Sequence, residues 1–352
     1  MQVAALISAP LRLLGEGQRV PQLLGRLSEM SGVEAHVVET NVYVPGAGPV
    51  YRSEPVDMML DDLEARGDKV AILVTTPGRE MIWAAEAAHR RGFKVIYDRF
   101  DHWPSFPSAQ QYALAETEQV LLEVADAMVC SFQDDVYEQY QGDKLYLPNA
   151  ASDAPLWPQR WLKGRDACWY AYHTSAVYVG SLDERYVAVD VLRKVGKLRA
   201  TLLCGQSPQD SNPLLGNGMQ ARKFGLGGEV GWVSHAYLSF VLASGGRDLN
   251  STPRIGLALF RPGQELTRWV SPIKVYEYLL AGVRPVVWNL PQAEALPLVV
   301  SIPDDAEQVE KQVADISPFS PDEAQQASEW VMEGHLWRHR ARELVRWLNG
   351  LW

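Results

Sequence analysis

The stretch Ser271-Pro272-Ile273-Lys274-Val275-Tyr276-Glu277-Tyr278-Leu279-Leu280-Ala281-Gly282 pairs a good helix opening with a cation in an unfavourable place. Ser271 suits the N-cap, where its hydroxyl accepts from a first-turn backbone N–H. Pro272 suits the first helical position, and Gly282 suits the stop. Lys274 then falls in the first turn, where the helix dipole disfavours a cation by about 0.3–1 kcal/mol. An anion bound there resolves the conflict, because free N–H groups, the positive dipole end and the ammonium all face it. Ile273, Glu277 and Leu280 share one stripe, so Glu277 lies among apolar neighbours. A half-buried carboxylate needs donors, and ribose hydroxyls would serve. A phosphate at the helix start and a diol one turn later describe a nucleoside diphosphate. The plain alternative is an amphipathic helix with a surface lysine and glutamate.

A second cluster, Tyr97-Asp98-Arg99-Phe100-Asp101-His102-Trp103-Pro104-Ser105-Phe106, closes a strand. Two carboxylates and an imidazole are what proton transfer from a hydroxyl needs. Strand alternation sends Asp98 and Phe100 one way, Arg99 and Asp101 the other. The two carboxylates therefore need not share a role. The alternative has Asp98 paired with an arginine and Asp101 capping the next turn. Asp101 lies further along and is followed by a turn, which makes it the candidate base, with His102 and Asp98 as support.

Alternating strand and helix patterns must position these residues, and alternation points to parallel α/β sheets. In the first half, strands are expected over Val3–Ser8, Ala35–Thr40, Val70–Thr75, Lys94–Phe100, Ala127–Phe132 and Lys144–Pro148. Helices fall over Gln18–Met30, Val56–Arg66, Arg79–Arg91 and Ala109–Val124. The Gly/Pro stretch Asn41–Pro55 reads as a substrate loop. A second series has strands over Ala176–Val179, Ala200–Cys204, Val230–Val233, Arg254–Phe260, Arg284–Asn289 and Val299–Ile302. Its helices fall over Tyr186–Val195, His235–Ser244 and Asp304–Ile316, with a loop over Gln206–Gly228. Pro321–Trp352 reads as helical throughout. Two Rossmann-like domains are expected: 1–155 and 173–325, joined by a linker at 156–172, with a terminal helix at 326–352.

Pro272, Lys274, Glu277, Tyr278, Leu279, Ala281, Gly282, Pro285, Val286 and Val287 match in order a "P-x-K-x-x-E-Y-L-A-x-G-x-P-V-V" segment, and this resembles the donor-binding helix of GT-B glycosyltransferases. The resemblance implies a GT-B fold, two Rossmann-like domains facing a central cleft, with the C-terminal helix crossing back over both. It implies that Lys274 and the helix start hold a diphosphate and that Glu277 holds the ribose. Gly180-Ser181-Leu182, at a strand end, resembles the first phosphate loop of the donor domain, and Arg185 adds charge beside it. Gly231-Trp232-Val233 resembles the segment whose backbone reads the base, with Trp232 stacking on it. Arg261 ends another strand, where it would meet the donor sugar or diphosphate. Gly15 and Gly17 resemble the glycine-rich loop facing the acceptor. Tyr97–Phe106 is similar to a "Y-D-x-x-D-x-W-x-x-F" segment of bacterial surface-polysaccharide enzymes of this fold, and Lys144–Ala150 to the "P-N-G/A" that closes their first domain. Many retaining members carry a Glu-x7-Glu pair whose second glutamate matches Glu277. Its first would fall on Trp269, so an inverting reaction is expected.

The resemblance thus implies sugar transfer from a nucleotide sugar, a UDP-sugar, to a glycan, lipid-linked or small-molecule hydroxyl. No cofactor or metal is expected, since the helix start and cations neutralise the diphosphate. The rivals are a nucleotide-sugar epimerase and a non-catalytic nucleotide-sugar-binding scaffold. A net charge of −10 argues against a general nucleic-acid binder. No basic leader or bilayer-length apolar run is seen, and Cys130, Cys168 and Cys204 read as reduced thiols. The expected place is the cytoplasm. The Trp- and Arg-bearing terminal helix would also suit the inner membrane face, although packing its tryptophans into the core is the preferred reading.

Overall fold

We describe the fold from a computed structural model. The structure describes residues 1–7, 19–44, 48–51, 54–106, 113–152, 174–180, 182–204, 222–224, 227–230, 254–303, 305 and 307–352. The chain divides into two compact units, Met1–Asn149 with Trp337–Trp352, and Ala150–Leu336.

In the first unit, strands β1 (Gln2–Ile7), β2 (Glu34–Glu39), β5 (Val70–Val74), β6 (Lys94–Arg99), β7 (Ala127–Cys130) and β8 (Asp143–Tyr146) form one sheet. Their order is β2-β1-β5-β6-β7-β8, parallel throughout. Every residue of β1, β5 and β7 is buried. A parallel sheet covered on both faces demands this, and it explains the near-continuous apolar runs. Helices α1 (Arg19–Ser28), α2 (Glu54–Arg66), α3 (Arg79–Arg90), α4 (Leu114–Val124) and the short α5 (Asp135–Gln139) lie between the strands. The supposed loop 41–55 holds an antiparallel ribbon instead, β3 (Asn41–Val44) with β4 (Gly48–Tyr51). Helix α4 starts at Leu114, five residues later than its composition suggested.

The second unit's sheet contains β9 (Ala176–Val179), β10 (Thr201–Cys204), β11 (Arg222–Phe224), β12 (Gly227–Val230), β13 (Ile255–Leu259), β14 (Arg284–Trp288) and β15 (Val300–Ile302). The order is β11-β12-β10-β9-β13-β14-β15, with only β11 antiparallel. The parallel part runs outward in both directions from β9 and β13, so the chain's winding reverses between those two strands. β11 and the first half of β12 lie inside the stretch expected as loop up to Gly228, β12 runs to Val230, and residues 231–233 of the strand expected from Val230 lie outside the described residues. The helix expected at 235–244 lies outside the described residues. Helices α6 (Val189–Leu198), α7 (Glu265–Trp269), α8 (Ile273–Leu280), α9 (Pro291–Glu294), α10 (Val309–Asp315) and α11 (Pro321–Gly334) complete the unit.

The terminal helical stretch is two helices. Ser320 and Glu323 form a capping box that opens α11, which packs on α8. His335 caps α11, and α12 (Trp337–Asn349) then belongs to the first unit, packing against α1 through Trp337, Ala341, Leu344 and Leu348. Trp337 is fully buried. Trp330 stacks on His335 at 3.8 Å between ring centroids. These two tryptophans are core anchors. Trp352 is exposed, with the Lys69 ammonium 5.4 Å from its ring. No described helix is long and apolar enough to cross a membrane.

Gly282 ends α8 as expected. Its φ is +70°, Gly282 N–H donates to Leu279 O and Val283 N–H to Tyr278 O, the paired bonds of a left-handed helix stop. An added Cβ would lie 3.0 Å from the Ala324 Cβ. Gly282→Ala should therefore lower stability by about 1–2 kcal/mol, the cost of a left-handed residue with a side chain, as read by chemical denaturation. An unchanged midpoint would rule out this account of the helix stop.

Candidate active site

In the second unit the site grows from one tyrosine and two glycines. The Tyr278 hydroxyl accepts from Val179 N–H at 3.0 Å and donates to Leu257 O at 3.2 Å. It thus ties α8 to β9 and β13 where the winding reverses. Gly256 makes room for it, since a Cβ there would lie 2.3 Å from the Tyr278 ring. This fixes α8 with its start at the carboxyl ends of β9 and β13, where ligands of such sheets bind. Pro272 is the N-cap and Ser271 sits one residue before it, buried, so Ser271 does not cap the helix as expected. The proline's extended backbone lets the helix begin at Ile273 instead.

Lys274 lies in that first turn. Its Nζ donates to the Tyr178 hydroxyl at 3.3 Å, and lies 4.4 Å from the Tyr178 ring centroid and 5.4 Å from that of Phe260. The amine also rests on Gly180, where an added Cβ would meet Nζ at 2.6 Å. Gly180 has a φ of +134°, a conformation side chains disfavour. Burial lowers the Lys274 pKa to about 7, and the Glu277 carboxylate one turn on opposes the shift. Glu277 is itself buried. The unit therefore holds a partly buried amine, poorly solvated, on a glycine turn at a helix start.

Arg185 and Arg261 lie near the turn that follows Gly180. Arg185 clasps the Asp183 carboxylate through Nε at 2.9 and 3.0 Å, and that bond holds Asp183 down to about 2. Arg261 donates to Glu184 O at 2.6 Å and to Asp190 Oδ1 at 2.9 Å. Both brace the turn that leads from Gly180 toward α6. Both, expected at the donor, reach carboxylates or a carbonyl close in sequence or register. Ser181, Trp232, Val233, Gly15 and Gly17 lie outside the described residues.

In the first unit the two faces of β6 serve different networks. Asp98 points to α1 and forms a buried pair with Arg19, whose Nη2 lies 2.8 Å from Oδ1. Arg19 also donates to Leu147 O and Asn149 Oδ1, and Arg340 of α12 donates to Pro148 O. Asp98, expected as support for the base, is thus held in a buried structural pair with Arg19. On the other face Arg99 is fully buried, bonded to Glu118 at 2.8 Å and to both Asp134 oxygens at 2.8 Å. Tyr97 donates to the same Glu118. His102 closes this chain: its Nδ1 bonds Ser105 Oγ, and its Nε2 lies 3.7 Å from Asp134 Oδ2. Both ring nitrogens face protein groups, so His102 braces the turn after β6.

Asp101 remains. It sits two residues beyond the strand, partly buried, and its carboxylate has no hydrogen bond or ion pair among the described residues. Burial raises its pKa to about 7; the Asp98 carboxylate adds to the rise and Arg19 opposes it. A carboxylate that titrates near neutrality, with no hydrogen bond among the described residues, is suited to take and give a proton.

No family model and no curated protein matches the sequence. Solved structures match over almost the whole chain. The trehalose-6-phosphate synthase of E. coli bound with UDP-2-fluoro glucose aligns at TM-score 0.59 and 10% identity, covering 99% of each chain. AviGT4, a glycosyltransferase involved in avilamycin A biosynthesis, aligns at 0.53 and 13% identity, covering 99% of this chain and 97% of that one. A Listeria monocytogenes protein assigned as a UDP-N-acetylglucosamine 2-epimerase aligns at 0.55 and 11% identity, covering 99% and 95%. The chain has the GT-B fold.

Within the GT-B fold, the second unit is the one whose sheet reverses beside α8, and it brings together Gly180, Lys274 and Glu277 of the expected donor residues. Sequence reasoning missed Tyr178, although it lies two residues before Gly180 on an apolar strand. It also missed Arg19. The signal for Arg19 was present, a cation at the first position of α1, the same misplacement that drew attention to Lys274.

Proposed function

We propose that this protein is a glycosyltransferase that moves a sugar from a nucleotide-sugar donor to an acceptor hydroxyl with inversion. The observation that carries the reading is the Lys274 amine seated on Gly180 at the start of α8, beside the reversal of a GT-B sheet. Lys274 and the helix start neutralise the leaving diphosphate. Glu277, one turn on, accepts from the ribose hydroxyls. Asp101 takes the acceptor proton as its oxygen attacks. The UDP-2-fluoro glucose in the E. coli neighbour supports a UDP-sugar as donor.

Titration calorimetry and thermal shift with UDP-, GDP-, TDP- and CMP-sugars test the donor site. A ligand at 100 times its dissociation constant stabilises by about 2.7 kcal/mol. Lys274→Ala and Glu277→Ala should each weaken nucleotide binding by about 1–3 kcal/mol, the worth of a charge-assisted hydrogen bond. Gly180→Ala should weaken it too, because its methyl displaces the Lys274 amine. Wild-type affinity in all three variants would remove the donor site from α8. Conversion of a nucleotide sugar without any acceptor would move the activity to an epimerase, and donor binding with neither transfer nor slow hydrolysis would leave a scaffold.

A further inference from the structure

Phe100, Trp103 and Phe106 recur every third residue around Asp101. The turn that follows β6 is a 3-10 helix over Trp103–Ser105, whose three residues per turn bring Trp103 into line with Phe106, while Phe100 precedes it directly after β6. The result is a ladder of rings. Trp103 stacks on Phe106 at 5.2 Å and 28°, and Phe100 meets Trp103 edge to face at 5.6 Å and 76°. Tyr97, Phe132 and Trp337 are fully buried, Trp83, Tyr146 and Trp352 are exposed singly, and the three ladder residues are partly exposed together in one turn. The turn is braced: Trp103 N–H donates to Asp101 O, Ser105 N–H to His102 O and Phe106 N–H to Trp103 O. His102, bonded to Ser105 and near Asp134, holds it to the buried Arg99 network.

From this geometry, and resting on the transferase reading above, we infer that the acceptor presents a pyranose ring, its C–H face stacked on the Phe100–Trp103–Phe106 ladder and a hydroxyl directed to Asp101. A pyranose has an apolar face and a polar edge, and one turn carries both the aromatic rings and a carboxylate with no hydrogen bond or ion pair among the described residues. A lipid chain would leave the carboxylate facing hydrocarbon, which costs free energy. A small polyol without a ring would leave the aromatic surface uncovered. The ladder therefore sets acceptor class while Asp101 does the proton chemistry.

The test uses the full chain with UDP present at saturation. Methyl glucopyranosides, galactopyranosides and mannopyranosides are titrated by saturation-transfer NMR and tryptophan fluorescence, with glycerol as the control without a ring. At least one pyranoside should saturate where glycerol does not. Trp103→Ala should weaken it about tenfold or more with UDP affinity unchanged, and Trp103→Phe should restore most of the binding. Should Trp103→Ala fail to fold, Phe106→Leu and the wild-type titration carry the test. No saturation by any pyranoside, or saturation that neither ring substitution alters, overturns the inference. Nucleotide binding in the same samples separates the two ideas: intact UDP binding without pyranoside binding defeats the ladder alone, and absence of binding by UDP, GDP, TDP and CMP alike defeats the transferase reading.

Discussion

Asp101→Asn lowers turnover by about 10²–10⁴-fold, the usual worth of a positioned general base, and leaves nucleotide affinity close to wild type. The substitution keeps the shape of the side chain and removes its basicity. At saturating donor and limiting acceptor the wild-type rate should rise with pH through about 7, as Asp101 loses its proton. Stability moves the other way. The folded-state pKa of Asp101 lies above its unfolded value, so between 3.8 and about 7 the folded state binds more of the proton. Stability therefore falls as pH rises through that window and stays lower above it. Asp101→Asn removes the buried charge, so the variant should be steadier than wild type above pH 7 while nearly inactive. Loss of rate with gain of stability marks a group kept for chemistry. Asp98→Asn behaves differently, because it breaks a buried pair with Arg19 and loses stability. Near-normal turnover in Asp101→Asn, or a product that keeps the donor's anomeric configuration by NMR, would sink the inverting base.

The sequence carried the parts of this molecule whose signals are local. Apolar runs located the buried parallel strands, and the proline, lysine and glycine of α8 located a helix with its stop and a cation at its start. Elements of contradictory composition were hidden. The ribbon β3–β4 lies in a Gly/Pro stretch, and such residues are rare inside strands. The break between α11 and α12 occupies only His335 and Leu336, too short to disturb the helical period, although Gly334 stands beside it. Long-range pairing was out of reach for another reason. Arg19 and Asp98 are 79 residues apart, and nothing in either one's neighbourhood names the other. Asp101 shows a subtler limit. Alternation placed it opposite Asp98, but β6 stops at Arg99, so alternation no longer governs it, and both Asp98 and Arg19 act on its charge.

Nucleoside diphosphate affinity should fall as pH rises from 7.5 to 9.5, approaching about tenfold per unit, with one proton taken up on binding. Lys274 carries the argument. In the free protein its pKa is about 7, so the amine is mostly neutral at the start of this range. A diphosphate against Nζ favours the ammonium and raises that pKa. Binding must then take a proton from solvent, and its cost grows with pH until the bound-state pKa is passed. The ligand does not confuse the trend, since a terminal phosphate with a second pKa near about 6 is fully ionised throughout. Calorimetry in two buffers of different ionisation enthalpy counts the proton directly. Lys274→Met should bind weakly at every pH, with a flat profile and no uptake. Without ligand, stability should show the matching sign. The folded-state pKa of Lys274 lies below its unfolded value of 10.5, so the unfolded chain binds more protons between about 7 and 10.5. Wild-type stability should therefore rise with pH across that window, and Lys274→Met should be steadier than wild type at pH 7 and below. Proton uptake of zero at pH 8.5 in the wild type would mean that Lys274 is already charged before nucleotide arrives, and the glycine seat at Gly180 would then be a salt-tolerant contact with no part in the titration.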